Sequence, residues 1–368
     1  MNNFTILKAE VRKMNCGGSC TQQQSKILSL DTIEKTDRHP CYSSGAHLKY
    51  ARMHLPVAPK CNISCNYCNR KFDCVNESRP GVTSEVLTPE QAWAKYNLVK
   101  SKIENLSVVA IAGPGDALAN WDNTQKAIQL IKQSDPKVVF CLSTNGLLLP
   151  IYAGELVNLG LKHITVTVNC LDPEIGAKIY KYINYQGKKY SGVEGVKILF
   201  ENQLAGIEYL TGQGVLVKVN IVMLKGINDQ HIPDIVKRMK ELGVFVTNIM
   251  PLIPAAGSAF AHFPQTSTKE LQRIRTVCEV DLPQMRHCKQ CRADAIGLLG
   301  EDRSLEFREY KKSYKIAVAS KYGKLVDLHF GYATEFAVYM GDGEAFELLE
   351  KRQVGKYCAG TQEFRSEK

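Results

Sequence analysis

Short apolar runs alternate with longer amphipathic stretches from about residue 55 to residue 250, and this rhythm limits the possible folds more than any other feature. Apolar runs of about 4 to 8 residues are typical of buried strands. The predicted strands are residues 55–59, 106–112, 138–142, 163–168, 215–222 and 244–249. One predicted helix begins at Pro89 after Thr88, and others span 124–134 and 234–242. Six successive strand–helix units predict an α/β fold with a parallel sheet, closed or partly closed as a barrel.

The flanks of this region do not follow the rhythm. Residues 1–50 have weak periodicity and hold Cys16, Cys20 and Cys41 among Gly, Ser and Gln, which predicts an arm that becomes ordered on binding something. Residues 281–312 bring a cysteine pair and many charges, and short strands are predicted again at 314–320, 335–340 and 346–349. We therefore predict an N-terminal arm (1–50), a barrel (51–280), a cysteine-pair extension (281–312) and a small C-terminal unit (313–368).

Charge and cysteine content narrow the class of protein. The net charge of +10 favours anionic ligands, but the basic residues are scattered and not interleaved with aromatics, so nucleic acid is not an expected partner. No apolar run reaches the roughly 18 residues of a membrane span, and the first residues do not have a basic and then apolar leader, so we expect a cytoplasmic protein without a membrane partner. Thirteen cysteines, several spaced two or three residues apart, indicate metal binding in such a compartment.

The sharpest motif is CNISCNYC at residues 61–68, directly after the first predicted strand. Three thiolates, from Cys61, Cys65 and Cys68, are enough to hold three irons of a four-iron cluster and leave the fourth iron open to a non-protein ligand. A structural zinc site would need a fourth nearby ligand, and Cys74 is available for that alternative.

This Cys-x3-Cys-x2-Cys loop, with an aromatic residue before its third cysteine, resembles that of the radical S-adenosylmethionine (SAM) superfamily. The resemblance implies a partial (β/α)6 barrel, a 4Fe-4S cluster whose open iron binds SAM, and reductive cleavage of SAM to a 5′-deoxyadenosyl radical.

Ligands of such barrels lie at the C-terminal ends of the strands, so the following loops are candidates for binding SAM. AGPGD at 112–116 resembles the glycine-rich segment of the superfamily that binds the SAM amino group, and the later strand ends carry short polar residues. Each of these polar residues alone is equally typical of a turn or a helix cap. Their shared position at the C-terminal ends of the strands is what favours SAM binding. The candidate SAM-binding residues are Tyr67, Gly113, Gly115, Asp116, Thr144, Asn145, Thr167, Asn169 and Asn220.

Several other segments resemble the NifB family of nitrogenase cofactor biosynthesis proteins: HPCYS (39–43), ARMHLP (51–56), NRKFDC (69–74), NESRPG (76–81) and CKQCRAD (288–294). The resemblance covers residues 38 to 300 and implies that two 4Fe-4S substrate clusters are fused into an eight-iron precursor with a carbide derived from SAM. It also implies N-terminal and C-terminal cluster-binding extensions. The implied partners are a cluster donor scaffold, an electron donor such as ferredoxin or flavodoxin, and a downstream cofactor carrier.

Substrate clusters need soft or imidazole ligands that can later be released. Cys288 and Cys291 form a pair without a second pair to complete a zinc ribbon, so we assign them to a substrate cluster. The other candidate ligands are Cys41, His54, Cys74 and Glu77, and His39 is a further histidine of this kind. Each histidine is equally consistent with a structural role.

The sequence assigns less specific roles to the other cysteines and to the arginines near the motifs. Cys141 and Cys278 are predicted core residues, and Cys170, at a strand end, is left open. Arg52, Arg70 and Arg79 lie close to the cysteine motifs in sequence, where they either balance the charge of the clusters or are ordinary surface arginines.

The C-terminal segment, with IAVAS at 316–320 and VDLHFG at 326–331, resembles the start of a NifX-type domain that binds cofactor precursors. It is shorter than that domain, and His329 and Cys358 are its candidate cluster contacts. Two other functions stay open at this stage: a radical SAM enzyme with an auxiliary cluster and an organic substrate, and a non-catalytic carrier of iron–sulfur clusters.

Overall fold

The computed structural model describes residues 29–82, 84–308, 314–323, 325–341 and 346–355. The chain forms two compact units, Met1–Asp302 and Arg303–Lys368. Cys16, Cys20 and Cys358, together with most of the predicted N-terminal arm, lie outside the described residues. The boundaries predicted within the first unit stay predictions.

The first unit contains strands of two sheets. In chain order these are β1 (Ala51–His54), β2 (Ile63–Cys65), β3 (Leu106–Ile111), β4 (Val139–Thr144), β5 (His163–Thr167), β6 (Tyr180–Tyr185), β7 (Lys188–Tyr190), β8 (Leu216–Met223), β9 (Val246–Pro251) and β10 (Ile296–Gly297).

Helices connect the strands and precede the first of them. They are α1 (Leu30–Thr36), α2 (Pro89–Lys102), α3 (Trp121–Ser134), α4 (Leu149–Asn158), α5 (Pro173–Ile179), α6 (Gly192–Gly212), α7 (Ile232–Glu241) and α8 (Thr268–Cys278). None of the helices in the described part of the chain is both long and apolar enough to cross a membrane.

The main sheet has the order β10-β1-β3-β4-β5-β8-β9, and all its neighbouring pairs are parallel except β10 with β1. Six parallel strands alternating with helices confirm the predicted partial barrel. The strands predicted at 106–112 and 163–168 match β3 and β5 within one residue at each end. β3 is apolar over most of its length, whereas β5 alternates Ile164 and Val166 with threonines, and both patterns are typical of strands.

The first predicted strand was wrong by several residues, because β1 ends at His54. Leu55 still donates its N–H to the carbonyl of Ala110, but Pro56 has no N–H and interrupts the ladder. The helix α2 begins where the sequence predicts. Thr88 and Gln91 form a reciprocal capping box there, with Pro89 in the first turn.

The register of the main sheet aligns polar residues across neighbouring strands. Ser143 on β4 lies opposite Thr165 on β5, and Thr165 lies opposite Lys218 on β8. Asn220, two residues along β8 on the same face, pairs with Asn248 on β9. This polar row inside a parallel sheet is unusual for a barrel core, where branched apolar residues dominate, and it marks a place for ligands.

A second sheet of three antiparallel strands, β2-β6-β7, was not predicted. It pairs the cysteine loop with a hairpin more than 100 residues later in the chain, through Ile63 with Ile183 and Ser64 with Tyr182. The second unit holds the antiparallel sheet β11 (Tyr314–Val318), β12 (Glu335–Gly341) and β13 (Phe346–Gln353), which confirms its three predicted strands.

Candidate functional site

The cysteine loop is held in place by backbone pairing with the hairpin β6–β7. Cys65 pairs with Tyr180, the Asn66 N–H donates to the Ile179 carbonyl at 2.9 Å, and the Asn184 N–H donates to the Asn62 carbonyl at 2.8 Å. A loop fixed on both sides of Cys65 presents its thiols in a defined arrangement before any metal arrives.

Tyr67, the aromatic residue of the motif, is completely buried and anchors the loop from behind. Its hydroxyl donates to Asn76 Oδ1 at 2.7 Å and accepts from Asn169 Nδ2 at 2.7 Å. Asn169 is also completely buried, and its Oδ1 accepts from the Val222 N–H at 2.8 Å. These two predicted SAM-binding residues therefore have polar groups engaged within the protein, and they position the loop.

Asp116 is the hub of the loops after β3 and β4. Its carboxylate accepts hydrogen bonds from the N–H groups of Leu118, Ala119 and Asn145 and from Thr144 Oγ1, at 2.6 to 3.0 Å. Burial raises the pKa of Asp116, and these donors oppose that rise. Asp116 and Thr144 thus join the two loops. The sequence predicted both residues to bind SAM.

Gly115 is required by packing between backbones. A Cβ placed on it would lie 2.1 Å from the Lys60 carbonyl oxygen and 2.7 Å from that of Ala58. The Gly115 N–H also donates to the Ala58 carbonyl at 2.6 Å, so the glycine-rich segment lies directly against the segment between β1 and the cysteine loop. Gly113 has a φ of +119°, in the region that favours glycine, and lies close to Ala293.

A cavity, named here the smaller cavity, is lined by the three motif cysteines. Asn145 is also in its wall, with Nδ2 at 2.6 Å from Asn62 Oδ1. Its other lining residues are Ile63, Arg70, Cys74, Asn76, Glu77, Gly115 and Asp116.

The thiols of the smaller cavity are neutral without a metal. Burial raises the pKa of Cys61 to about 12 and that of Cys65 well above its ordinary value. A thiolate is the form that binds metal, so iron binding here displaces protons and removes the cost of burying a thiolate alone. Three thiols around one cavity therefore fit a four-iron cluster with an open iron, and the polar wall beside it fits the amino acid part of SAM.

A second cavity lies inside the barrel and is named the larger cavity. It collects ligand-type side chains from distant parts of the chain. The predicted substrate-cluster ligands in its wall are Cys41, His54, Glu77, Cys288 and Cys291, and His39 joins them. Cys74 lines the smaller cavity instead.

The two histidines of the larger cavity are oriented by backbone groups through Nδ1. His54 Nδ1 lies 2.9 Å from the Arg292 carbonyl oxygen, and His39 Nδ1 accepts from the Cys41 N–H at 3.2 Å. Burial lowers the pKa of His54 to about 3 and that of His39 well below its ordinary value, so both rings are neutral at physiological pH. His39 Nε2 is buried without a hydrogen-bond partner, which is the state expected of a ring nitrogen reserved for a metal.

Glu77 lines both cavities, so the two adjoin at this residue. Thr167 Oγ1 donates to Glu77 Oε1 at 3.2 Å, while Oε2 is buried without a partner. Burial raises the pKa of Glu77 to about 8, and the nearby Asp116 carboxyl group contributes a smaller part of that rise. Thr167, predicted to bind SAM, therefore orients Glu77.

Sequence reasoning missed several residues of the larger cavity. Cys141, predicted as core, is buried but lines the cavity, with Ser143 two residues further along the same face of β4. The signal that could have found it is the alternation of polar side chains along β4, since residues two apart share a face. Asn220, a predicted SAM-binding residue, also faces this cavity, where it accepts from Asn248 Nδ2 at 3.1 Å.

The remaining cysteines and arginines differ in burial and in their distance from the two cavities. Cys278 is buried away from both cavities, as predicted, and Cys170 packs in the core with Ile179 and Val196. Arg52 is only 3% exposed and contacts Cys291 Sγ through Nη2 at 3.2 Å, whereas Arg79 is exposed.

The zinc alternative has no geometric support in the described residues. Cys61, Cys65, Cys68 and Cys74 line one cavity, but no group of three or more His, Cys, Asp or Glu side chains among residues the structure describes converges as a single metal ion requires. In a four-iron cluster each cysteine binds a different iron, so its ligands need not converge on one point.

Comparisons with known proteins agree with this geometry. A family model described as the radical SAM superfamily matches residues 55–239. The FeMo cofactor biosynthesis protein NifB of Herbaspirillum seropedicae is 43% identical, over 96% of this chain and 76% of its own length. The proteins of the same name from Klebsiella pneumoniae and Azotobacter vinelandii are 44% and 42% identical, each over 94% of this chain and over 81% and 80% of their own lengths.

Solved structures with a similar fold include Streptococcus suis SuiB bound to S-adenosylmethionine, with a TM-score of 0.44 and 14% identity over 70% of this chain and 56% of that chain. Methylornithine synthase (PylB) has a TM-score of 0.44 and 14% identity over 68% of this chain and 71% of that chain. The superfamily model and relatives more than 40% identical across nearly the whole chain, together with the three-cysteine loop in a parallel barrel, show that this chain belongs to the NifB family of radical SAM enzymes.

Proposed function

We propose that this enzyme fuses two 4Fe-4S substrate clusters and inserts a carbide derived from SAM, which yields the eight-iron precursor of the nitrogenase FeMo cofactor. The observation that carries the proposal is the shared wall between the two cavities. Glu77 borders both of them, so a group delivered from the smaller cavity has only a short distance to travel into the larger one.

In the smaller cavity, Cys61, Cys65 and Cys68 would hold the SAM-cleaving cluster. One SAM molecule would supply a methyl group and leave S-adenosylhomocysteine, and a second would supply the 5′-deoxyadenosyl radical. Gly115 and Asn145 border the space beside the thiols, while Tyr67, Asp116, Thr144 and Asn169 keep the loops in place, so we divide the predicted SAM-binding residues into contacts and supports.

In the larger cavity, the chemistry of the wall favours a cluster over an organic substrate. Its thiols, imidazoles and carboxyl group come from the N-terminal segment, from β1, from the loop after the cysteine motif, from β4 and from the cysteine-pair extension. We propose Cys41, Cys141, Cys288 and Cys291 as sulfur ligands of the substrate clusters, with His39, His54 and Glu77 as ligands that are easier to release. Cys74, beside the motif cysteines, is a candidate at the boundary between the sites.

The partners follow from this chemistry as part of the proposal. An iron–sulfur scaffold supplies the clusters, a ferredoxin or flavodoxin supplies electrons, and a cofactor carrier receives the product. The ten described cysteines are all free thiols, which supports a reducing compartment such as the cytoplasm. The assignment of the second unit as a partial NifX-like domain stays a prediction, and its His329 accepts a hydrogen bond from the Gly331 N–H within a turn.

The experiment that tests the proposal is anaerobic. The protein is reconstituted with iron and sulfide, reduced, and given SAM with a labelled methyl group; 5′-deoxyadenosine, S-adenosylhomocysteine and label in the extracted cluster are then quantified. We expect both products, with label retained in an eight-iron cluster.

Two results would contradict the proposal in different ways. If only 5′-deoxyadenosine forms, the chain is a radical SAM enzyme with another substrate, which favours the alternative in which Cys288 and Cys291 hold an auxiliary cluster. If SAM stays intact with a reduced, loaded protein, the chain acts as a cluster carrier.

A further inference from the structure

Two cationic side chains are buried in the wall of the larger cavity. Lys218, on β8, is 7% exposed and Arg52, on β1, is 3% exposed. Arg52 belongs to the ARMHLP segment, whereas Lys218 lies outside the segments that predicted function, and both carry their charge into a site composed mainly of neutral groups.

Neither cation is paired with a carboxylate among the residues that the structure describes. The Arg52 guanidinium donates to the carbonyl oxygens of Gly297 and Leu298 and contacts Cys291 Sγ. The Lys218 ammonium lies 5.7 Å from the centroid of the Tyr42 ring and makes no ion pair within these residues.

The surroundings of the Lys218 ammonium are sulfur-rich. The titratable groups that act on it most strongly are the thiols of Cys41, Cys141 and Cys288 and the carboxyl group of Glu77. The described hydrogen bond of that carboxyl group is with Thr167, and no ion pair between Glu77 and Lys218 occurs among the described residues.

A comparison within the same chain shows what such a buried ammonium normally requires. Lys95, on α2, is buried to nearly the same degree, at 8% exposed, and forms an ion pair with Glu85. Burying an ammonium without a counterion is unfavourable, because the lost hydration is not replaced. An unpaired ammonium group in a cavity wall therefore lowers the stability of the protein. Its retention there indicates that it interacts with a charged occupant of the cavity.

We propose that Lys218 is a positioning residue for the anionic iron–sulfur cluster that the larger cavity holds as substrate, its ammonium donating hydrogen bonds to cluster sulfide or cysteine sulfur. This inference rests on the proposed function. An ammonium carries three donors and no acceptor, so it recognises the surplus negative charge of a sulfide cluster without competing with the cysteines for iron.

The test compares three variants: Lys218→Met, Lys218→Arg and, as matched control, Lys95→Met. Each is made in the full chain and in a background where Cys61, Cys65 and Cys68 are alanine, so that the iron retained in that background reports on the larger cavity. Three quantities are measured: the free energy of unfolding of the metal-free protein in urea, the rate of iron release to a chelator after reconstitution, and the reduction potential of the remaining cluster.

We expect Lys218→Met to release iron about tenfold faster or more, because a hydrogen bond to a charged group is lost. Its cluster should also have a lower reduction potential, since a nearby cation favours the reduced, more negative state. The stability of its metal-free form should be unchanged or higher. Lys218→Arg should restore slow release, and Lys95→Met should lower stability while its iron release stays normal.

The inference is overturned if Lys218→Met keeps both the release rate and the potential of the parent protein. It is also overturned if the metal-free Lys218→Met protein loses as much stability as Lys95→Met, because Lys218 would then be structural. A parent protein that cleaves SAM but retains no cluster in the larger cavity would instead overturn the proposed function itself.

Discussion

The Tyr67 hydroxyl donates a 2.7 Å hydrogen bond to Asn76 Oδ1, which ties the cysteine loop to the segment that supplies Glu77. Asn76 extends the link in two directions: its Nδ2 lies 3.9 Å from Cys65 Sγ, and its carbonyl oxygen accepts from Asn220 Nδ2 at 3.1 Å. One buried tyrosine thus connects the walls of the smaller and the larger cavity.

Replacing Tyr67 with Phe should therefore affect both stability and SAM cleavage. The ring still fills its space, but Asn76 and Asn169 each lose a buried partner, which should cost about 1 to 3 kcal/mol of the free energy of unfolding. Urea denaturation checks the first effect, and the rate of 5′-deoxyadenosine formation checks the second. Normal stability in Tyr67→Phe would mean that the hydroxyl does not support the loop.

Gly115→Ala should disrupt the cysteine loop without touching a cysteine. Its Cβ would lie 2.1 Å from the Lys60 carbonyl oxygen, so the backbone of one of the two segments must move, at about 1 to 3 kcal/mol or more. We expect loss of the SAM-cleaving cluster, measured by iron content and electron paramagnetic resonance. Gly212→Ala is the control, because no atom lies within 4 Å of the new Cβ.

Asp116→Asn should be strongly destabilising even though it removes a charge. Four donors converge on the two carboxylate oxygens, and an amide NH2 in place of one oxygen would face a donor. A loss of about 2 to 4 kcal/mol in the free energy of unfolding is expected. The matched change Asp122→Asn, on the exposed surface of α3, should be nearly neutral; an equal loss in both would rule out a special role for Asp116.

The double change Cys288→Ala and Cys291→Ala should lower iron in the larger cavity and leave the three motif cysteines loaded. The reason is spatial, since both residues line only the larger of the two cavities. Iron content with Mössbauer spectroscopy distinguishes the sites. Iron content equal to that of the parent protein would show that this pair does not bind a substrate cluster.

Cys141→Ala should likewise reduce cluster loading, although its sequence context is that of a core residue. Cys278→Ala is the control: this cysteine is equally buried and lies away from both cavities, so its change should cost about 1 kcal/mol of stability and no iron. Equal iron content in the two variants would show that Cys141 is a core residue and not a cluster ligand.

Local chemistry was enough to predict much of the fold. β3, β5 and the start of α2 were predicted closely, because an apolar run, an alternating β-branched run and a Thr–Pro cap each act over a few neighbouring residues. The cysteine motif was also evident, since its spacing lies within one loop. The hairpin that holds this loop was missed, because its pairing partners, such as Ile63 and Ile183, are distant in sequence and neither strand is strongly patterned.

Short-range sequence patterns were enough to predict the alternation of strands and helices in the barrel, the barrel class and the three cysteines of the motif. Which of the buried residues face a cavity depends instead on contacts between distant parts of the chain. Cys141 and Cys278 are both buried cysteines in apolar surroundings, and the register of β4 against its neighbours turns the first toward the larger cavity. The same register brings Lys218 beside three thiols. Burial is a property that a local pattern can predict, whereas the direction of a side chain relative to distant strands exists only once those strands have paired.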